Sequence, residues 1–410
     1  MSYNKIKILP YHIYNKLPER LKQFIRPRVR AFFILKDIFS QISKLRLPVF
    51  LLQGKEKWGG NDLTAMFIGD AKGVLFISDL LYSEKTITKN LGKIFIGRIK
   101  SEIKRNLSKT DLIFICMDGF MSKFLPRREF IIIPAWVLFK LDLNKSIEEP
   151  WKLPQNKSLR ENLREFRKHN YSYELTKDPG KLKYFYQNMY LPYITGRFKE
   201  LAFETGFRVM ERDFTKGQLL LVKKGDDYVS GNTIKTEGDT VFFPYVGIEN
   251  GKIEYLKKGA ITALYYFNIL WAKEGGYRSL NFGHCRSFLN DGVFNFKKRW
   301  GMKIEVSESL KSIFGIKICN YSKGVEKFLE RNPFIFLDKE KLNGLIFVSQ
   351  NDPISIEEVK AYVKNYAIPG LDCLVIVSSQ GFVQEAREFA NSCSLPRVQL
   401  VDKSAWDFQH

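Results

Sequence analysis

Four residues able to move a proton or hold a polar group crowd into seven positions: Asn281, His284, Arg286 and Ser287. They end an apolar run, 278–282, that reads as a strand. Loops at strand ends carry a disproportionate share of function. His284 is the residue suited to accept a proton, since an unperturbed imidazole titrates near pH 6.5. A histidine that only caps a turn or faces solvent has the same signature. Shortly after comes Phe296-Lys297-Lys298-Arg299-Trp300-Gly301, a cationic run closed by Trp-Gly. Within it Trp300 reads as core, and the three cations read equally well as a solvated face.

Other chemistries lack their residues. There is no G-x-S-x-G, no G-x-x-x-x-G-K-(S/T), and no carboxylate pair that stands out for glycoside hydrolysis. Cys116, Cys285, Cys319, Cys373 and Cys393 are scattered, without a C-x-x-C. The four histidines stand far apart, so no metal site is expected. This cysteine usage suits a reduced, cytoplasmic protein. No window approaches a transmembrane span, and no secretory signal is apparent.

The elements that must position these residues run from 217 to 306. Strands at 217–223, 228–236 and 240–248 are joined by Gly225-Asp226-Asp227 and Gly238-Asp239, as in antiparallel hairpins. A helix follows over 258–274, with Ile261, Leu264, Tyr265, Ile269 and Ala272 at helical spacing and Gly275-Gly276 as its stop. Then come the strand 278–282, a short helix 291–299 and a strand from 303. Upstream, 65–67, 73–78, 112–117 and 131–143 read as strands and 87–107 as a crossover helix. Helices are also expected over 158–169 and 182–190.

This β-β-β-α-β-α-β order resembles the GNAT (GCN5-related) N-acyltransferases, and within them the Fem-type (FemAB-like, BioF2-like) branch. The motifs that carry the resemblance are Gly259-Ala260, Trp271-Ala272, Gly275-Gly276, Asn281-Phe282-Gly283 and the FKKRWG run, with Tyr193 and Arg197 upstream. The resemblance covers roughly 130–306, with a degenerate first half over 50–143. It implies an α/β, mixed-sheet fold of two GNAT-like halves. It also implies that the strand before the long helix offers free backbone to an acyl donor's arm, here Tyr245, Val246 and Gly247. Lys258, Gly259 and Ala260 would present a helix N-terminus to phosphate. Lys297 matches the family lysine and would hold a phosphate or an oxyanion. Aminolysis then needs a base, His284, with Asn281 beside it, and residues that hold the acceptor: Tyr193, Arg197, Arg286 and Ser287. The phosphate loop departs from the acetyl-CoA pattern (Q/R)-x-x-G-x-(G/A), of which only the last part remains.

Charge divides the chain of 410 residues. The whole carries +22. Residues 331–410 hold eight Lys/Arg against ten Asp/Glu, a net −2, whereas 1–330 hold 58 against 34, a net +24. A basic body fits an anionic partner, or simply a lysine-rich surface. The expected organisation is a basic amphipathic segment at 1–49, a degenerate GNAT-like half at 50–150, the acyltransferase half at 151–330, and a small βαβαβ module at 331–410. The amphipathic pattern at 17–45, broken by Pro27, fits either packing on its own domain or peripheral attachment to the inner membrane face.

The reading is a cytoplasmic N-acyltransferase. It would use acyl-CoA or a similar donor, without metal, and an amine on a cell-envelope saccharide or peptidoglycan precursor, whether a small molecule or lipid-linked. Its rivals are an aminoacyl-tRNA-dependent peptidyltransferase, favoured by the charge, and a non-catalytic scaffold in polysaccharide biosynthesis, favoured by the eroded phosphate loop.

Overall fold

The computed structural model describes residues 45–84, 87–118, 121–125, 127–143, 157–308 and 310–406. The amphipathic segment and the Pro150–Pro154 linker lie outside them.

The first part of the chain forms β1 (Arg46–Lys55), β2 (Asp62–Ile68), helix α1 (Ala71–Leu81), β3 (Ile87–Phe95), α2 (Ile99–Asn106), β4 (Leu112–Met117) and β5 (Ile131–Pro134). Two expectations fail here. Residues 73–78 are helical, because the Asp70 carboxylate caps the Gly73 N–H and starts a helix through the apolar run. Such short apolar runs do not separate buried strand from buried helix by periodicity. Residues 87–95 are a strand paired antiparallel to β1, and helix begins only beyond them.

The middle of the chain contributes β6 (Val137–Asp142), α3 (Lys157–Arg167), β7 (Ser172–Thr176), α4 (Pro179–Tyr184), a π-helical stretch Phe185–Tyr190 and α5 (Leu191–Phe198). Then follow α6 (Phe207–Phe214), β8 (Gly217–Lys224), β9 (Asp227–Glu237), β10 (Thr240–Phe242), β11 (Val246–Ile248), α7 (Ile253–Lys257), α8 (Ala260–Glu274), β12 (Ser279–Cys285), α9 (Gly292–Lys298) and β13 (Lys303–Val306). Last come β14 (Ile313–Ile318), α10 (Lys323–Arg331), β15 (Phe334–Asp338), β16 (Lys341–Val348), α11 (Ile356–Tyr366), β17 (Cys373–Ser378), α12 (Gln384–Ser392) and β18 (Arg397–Asp402).

Three sheets result. The first runs β3-β1-β2-β4-β14-β5 and the second β13-β6-β12-β10-β9-β8-β7, with β11 also on β9. The two halves exchange strands. The stretch 131–143, expected as one strand, breaks at Pro134-Ala135-Trp136. β5 stays in the first sheet, while β6 inserts between β12 and β13 of the second. In return, β14 inserts antiparallel between β4 and β5. The boundary near 150 in the sequence is therefore not a boundary between the first two sheets, whereas the strands of the third sheet all lie beyond 331.

The second sheet is covered on one face by α3 and α8, through Leu159, Leu163, Phe166, Ala263, Leu264 and Ile269. The π-helical stretch and α6 cover the other face through Phe185, Met189 and Met210.

The third sheet, β15-β16-β17-β18, pairs β16, β17 and β18 in parallel, with α11 and α12 as crossovers. This is the expected βαβαβ unit, with one antiparallel strand, β15, added at its edge. The Ser355–Glu358 capping box starts α11.

Candidate active site

The parallel pair at the middle of the second sheet opens into a cleft. β10 and β12 are in register over three residues, Thr240–Phe242 against Ser279–Asn281, and the Phe243 N–H still reaches Asn281 O at 3.3 Å. Past that point they part. The chain turns at Pro244, and β11 pairs only with β9, through Val246–Asn232, Gly247–Gly231 and Ile248–Ser230. Thr233 N–H donates to Tyr245 O at 3.0 Å, so Tyr245 has its carbonyl turned toward β9. Backbone alternation then directs the polar groups of Val246 into the gap.

On the opposite wall, β12 bulges between Asn281 and His284, where its register with β6 shifts. Asn281 makes this bulge: its Oδ1 accepts the Gly283 N–H at 2.9 Å, with Gly283 at φ +74°. Asn281 is thus a positioning residue in the strand. The base of the cleft is aromatic. Phe282 stacks on Tyr265 (4.5 Å) and leans on Phe243 (4.9 Å), while Tyr265 also meets Phe296 and Trp300.

Lys297 and His284 converge beside the bulge. α9 starts at the Asp291 cap, whose Oδ1 takes the Val293 and Phe294 N–H groups, and runs its last turn under β12. Lys297 is only 4% exposed, and its Nζ donates to His284 O at 3.2 Å. No carboxylate pairs with it among the described residues; the Phe139 ring lies 5.4 Å away. Lys297 is thus buried with no paired carboxylate among the described residues. It also lies beside the Cys285 thiol, which burial nevertheless pushes up to about 11.

The His284 Nε2 sits 2.8 Å from Ser307 Oγ, which also accepts the Leu310 N–H at 2.9 Å. Burial, and then the Lys297 charge, lower the imidazole pKa from its ordinary 6.5. The ring is neutral at pH 7. The Nε2–Ser307 contact fits either tautomer; in the one with Nε2–H donating to Ser307 Oγ, Nδ1 carries the lone pair.

The run FKKRWG separates into different fates. Lys297 is buried, Lys298 is half-buried with its ammonium on Asn365 O of α11, Arg299 is exposed and Trp300 is core.

The other expected residues are distributed as follows. Tyr193 and Arg197 are one helical turn apart on α5, the guanidinium donating to the phenol oxygen at 3.1 Å, and both act electrostatically on Tyr265. The Tyr245 hydroxyl donates to Asp213 Oδ2 at 2.8 Å, which commits its side chain to the fold. Ser287 does not serve a substrate: it is 1% exposed and its hydroxyl donates to Pro134 O. Gly259 caps α8 at φ +78°, and a Cβ there would lie 3.0 Å from Phe166 Cβ. The close approach it permits is therefore that of α3, not of a phosphate. Ala260 is fully buried, and Lys258 is exposed at the end of α7.

Arg286 lies apart from the cleft, at the seam between the first two sheets. Tyr265, Ser307 and Trp136 were not anticipated as site residues. Tyr265 had the spacing of an ordinary core position, and Ser307 enters only through the pairing of β13 with β6.

Among the described residues, no three His, Cys, Asp or Glu side chains gather as a metal site, and no helix is long and apolar enough to cross a membrane.

The strand order of the second sheet, its splayed parallel pair and the helix between those strands define a GNAT-like fold. No family model and no curated protein matches the chain. Among solved structures it is similar to L-PGS from Bacillus licheniformis, at 13% identity over 67% of this chain and 86% of that one, with a TM-score of 0.34. It is similar also to FemX, at 16% over 64% and 83% (TM-score 0.33). A GCN5-related N-acetyltransferase from Sphaerobacter thermophilus is a further neighbour, at 10% over 63% and 73% (TM-score 0.30). These likenesses are distant, and the fold assignment rests on the topology itself.

Proposed function

We propose that the chain transfers an acyl or aminoacyl group from an activated ester or thioester to an amine, with the cleft between β11 and β12 as the active site. The observation that carries this reading is Lys297, a buried lysine with no carboxylate paired to it among the described residues, held on the His284 carbonyl beside the β12 bulge. The donor's acyl arm lies along the free edges at Val246 and Gly283. The amine nitrogen attacks the acyl carbon and its proton passes to His284 Nδ1; as the acyl–sulfur or acyl–oxygen bond breaks, the imidazolium returns that proton to the leaving thiolate or alkoxide. Lys297 stabilises the oxyanion formed between these events, a role in which one lost donor typically costs about 10²- to 10³-fold. Tyr193 and Arg197 hold the acceptor, which we assign to a cell-envelope saccharide or peptidoglycan precursor.

For the donor, acyl-CoA and aminoacyl-tRNA divide the observations. The packing of Gly259 on Phe166 leaves little of a pyrophosphate cradle, and the net charge of +22 favours tRNA. The test is single-turnover transfer to an amine from each donor, with Lys297→Met as comparison. The variant is expected to fold and to lose about 10²- to 10³-fold in turnover. Lys297→Met turning over at the wild-type rate removes the lysine from the chemistry. No transfer from either donor favours the scaffold reading.

A further inference from the structure

Among the described residues, Arg286 is a cation with no anion bonded to it. Its guanidinium lies 4.0 Å from the Trp136 ring centre, 4.2 Å from that of Phe76 on α1 and 5.8 Å from that of Phe314 on β14. Among the described residues no hydrogen bond or ion pair reaches it. The two carboxylates whose charge it feels are committed elsewhere: Asp70 caps α1 at the Gly73 N–H, and Asp291 caps α9. The third neighbour, the Cys116 thiol, is pushed up to about 12 by burial and is uncharged at neutrality. Burial pulls Arg286 itself down to about 10, so it is still protonated at pH 7.

Aromatic rings satisfy the face of a guanidinium but not its N–H donors, which lie in its plane. With Trp136 and Phe76 each about 4 Å away, that edge is the group's unspent capacity, and a planar fork of donors matches the oxygens of a phosphate or a carboxylate. A neighbouring feature adds positive charge. Phe203, 57% exposed, packs edge-on against Trp136 at 5.9 Å and carries Lys72 Nζ 4.3 Å from its ring centre, with that ammonium bonded to Ala202 O.

We infer that Arg286, clamped between Trp136 and Phe76 at the seam of the two halves, binds an oxyanion of the acceptor, a phosphate or a carboxylate. This rests on the proposed transfer reaction and makes it more specific. Arg286 is two residues beyond His284, just past the end of β12 at Cys285. The acceptor is then an amine that also bears an oxyanion, which distinguishes it from a neutral amino sugar.

The experiment is a binding titration that needs no turnover. Because Trp136 stacks on the guanidinium, its emission reports an anion arriving there, and Trp136→Phe identifies that part of the signal. Full-length protein is titrated with inorganic pyrophosphate and, separately, with malonate. One of the two is expected to give a saturable change, and which one does so separates phosphate from carboxylate. Arg286→Met is expected to weaken it at least about tenfold, and Arg286→Lys, which keeps the charge and loses the fork, to weaken it as well. Thermal unfolding of each variant checks folding. If Arg286→Met is unfolded, Arg286→Lys decides. Neither anion binding, or wild-type affinity in Arg286→Lys, overturns the inference. So does loss of binding only in Lys403→Met, a cation over Tyr321 in an open cleft of about 780 Å³ in the tail. Anion binding through Arg286 in a protein that transfers nothing would sink the transfer reading and leave an anion site that no longer belongs to an acceptor.

Discussion

At the scale of single residues, the site depends on a buried lysine and on an imidazole beside it. Lys297 is 4% exposed, and burial, then the Lys297 charge, favour the neutral form of His284. The imidazole makes two predictions whose signs can be worked out. Its proton-accepting form persists to lower pH than in a free histidine, so the acid limb of kcat/KM falls below 6.5. His284→Gln should remove that limb and lower turnover by about 10²- to 10⁴-fold while folding is retained. A pH profile unchanged in the variant takes the histidine out of the mechanism. For stability, folding lowers the pKa, so below the unfolded value near 6.5 the unfolded chain binds more protons than the folded one. The His284 contribution is therefore present above 6.5 and is lost as pH falls through the lowered value. Urea unfolding of wild type and His284→Gln between pH 7 and 5 measures it, and the wild type should show the steeper loss on acidification. The chemical identity of these residues was legible in the sequence because they lie within one strand, loop and helix. What was not legible is their partnership. Nothing in FKKRWG distinguishes the buried Lys297 from the exposed Arg299 two positions on, because that depends on which side of α9 meets β12. Nor could spacing reveal that Ser287 is committed to Pro134, a residue 153 positions away whose strand is its neighbour only after the exchange.

At the scale of elements, the cleft is created by β11 leaving β12, and something must hold β11 away. The π-helical stretch Phe185–Tyr190 does so by lying directly on it: a Cβ on Gly247 would sit 2.6 Å from Met189 C and Tyr190 N. Both are backbone atoms and cannot swing aside. Gly247→Ala should therefore cost about 1–3 kcal/mol of stability, the usual cost of overpacking, and displace β11 relative to β12. A crystal structure or hydrogen exchange of the β9–β11 amides would show the shift. Wild-type stability in this variant would mean that the helix is not seated there in solution. The role expected of Gly247, a backbone groove residue, thus acquires a different physical cause. The hairpins and α8 were readable because antiparallel strands and a long helix advertise their own periods and turns. The exchanged strands were not. A strand's neighbours are set by the packing of the whole sheet, and the Ile131–Leu143 run gives only Pro134 and Trp136 as a hint that it serves two sheets. Residues 73–78 and 87–95 were misread because propensity and short apolar runs yield to a cap at Asp70 in one case and to pairing with β1 in the other.

At the scale of the whole molecule, the acidic tail is a unit in topology but not in packing. Its three parallel strands form their own sheet, yet Ile335, Leu342, Ile368 and Leu371 are buried in the same core as Leu280, Phe294 and Trp300. Phe334, Leu345, Val375 and Trp406 join the core of the first sheet. The segment 330–333, which its charge step and Asn332-Pro333 mark as a boundary, is pinned rather than free. Asn290 Nδ2 donates to Arg331 O, Leu289 N–H to Pro333 O, Ile335 N–H to Ser287 O, and Asn332 is buried. Two contacts reach the segment around α9: the Lys298 ammonium donates to Asn365 O, and Ile304 N–H donates to Pro369 O at 2.8 Å. The tail thus holds the FKKRWG run at Lys298 and the chain three residues beyond its end. A protease acting on the folded protein should leave 330–333 intact, since cleavage needs an exposed chain that can open locally. A chain ending at Arg331 uncovers two apolar cores at once. Burial of even four leucine-sized side chains is worth about 6–12 kcal/mol, comparable to the whole stability of a domain, so the truncated chain should fail to fold. A soluble, cooperatively unfolding 1–331 fragment would show that the tail is an appendage. It would also show that α9 keeps its place without the Lys298 contact to Asn365.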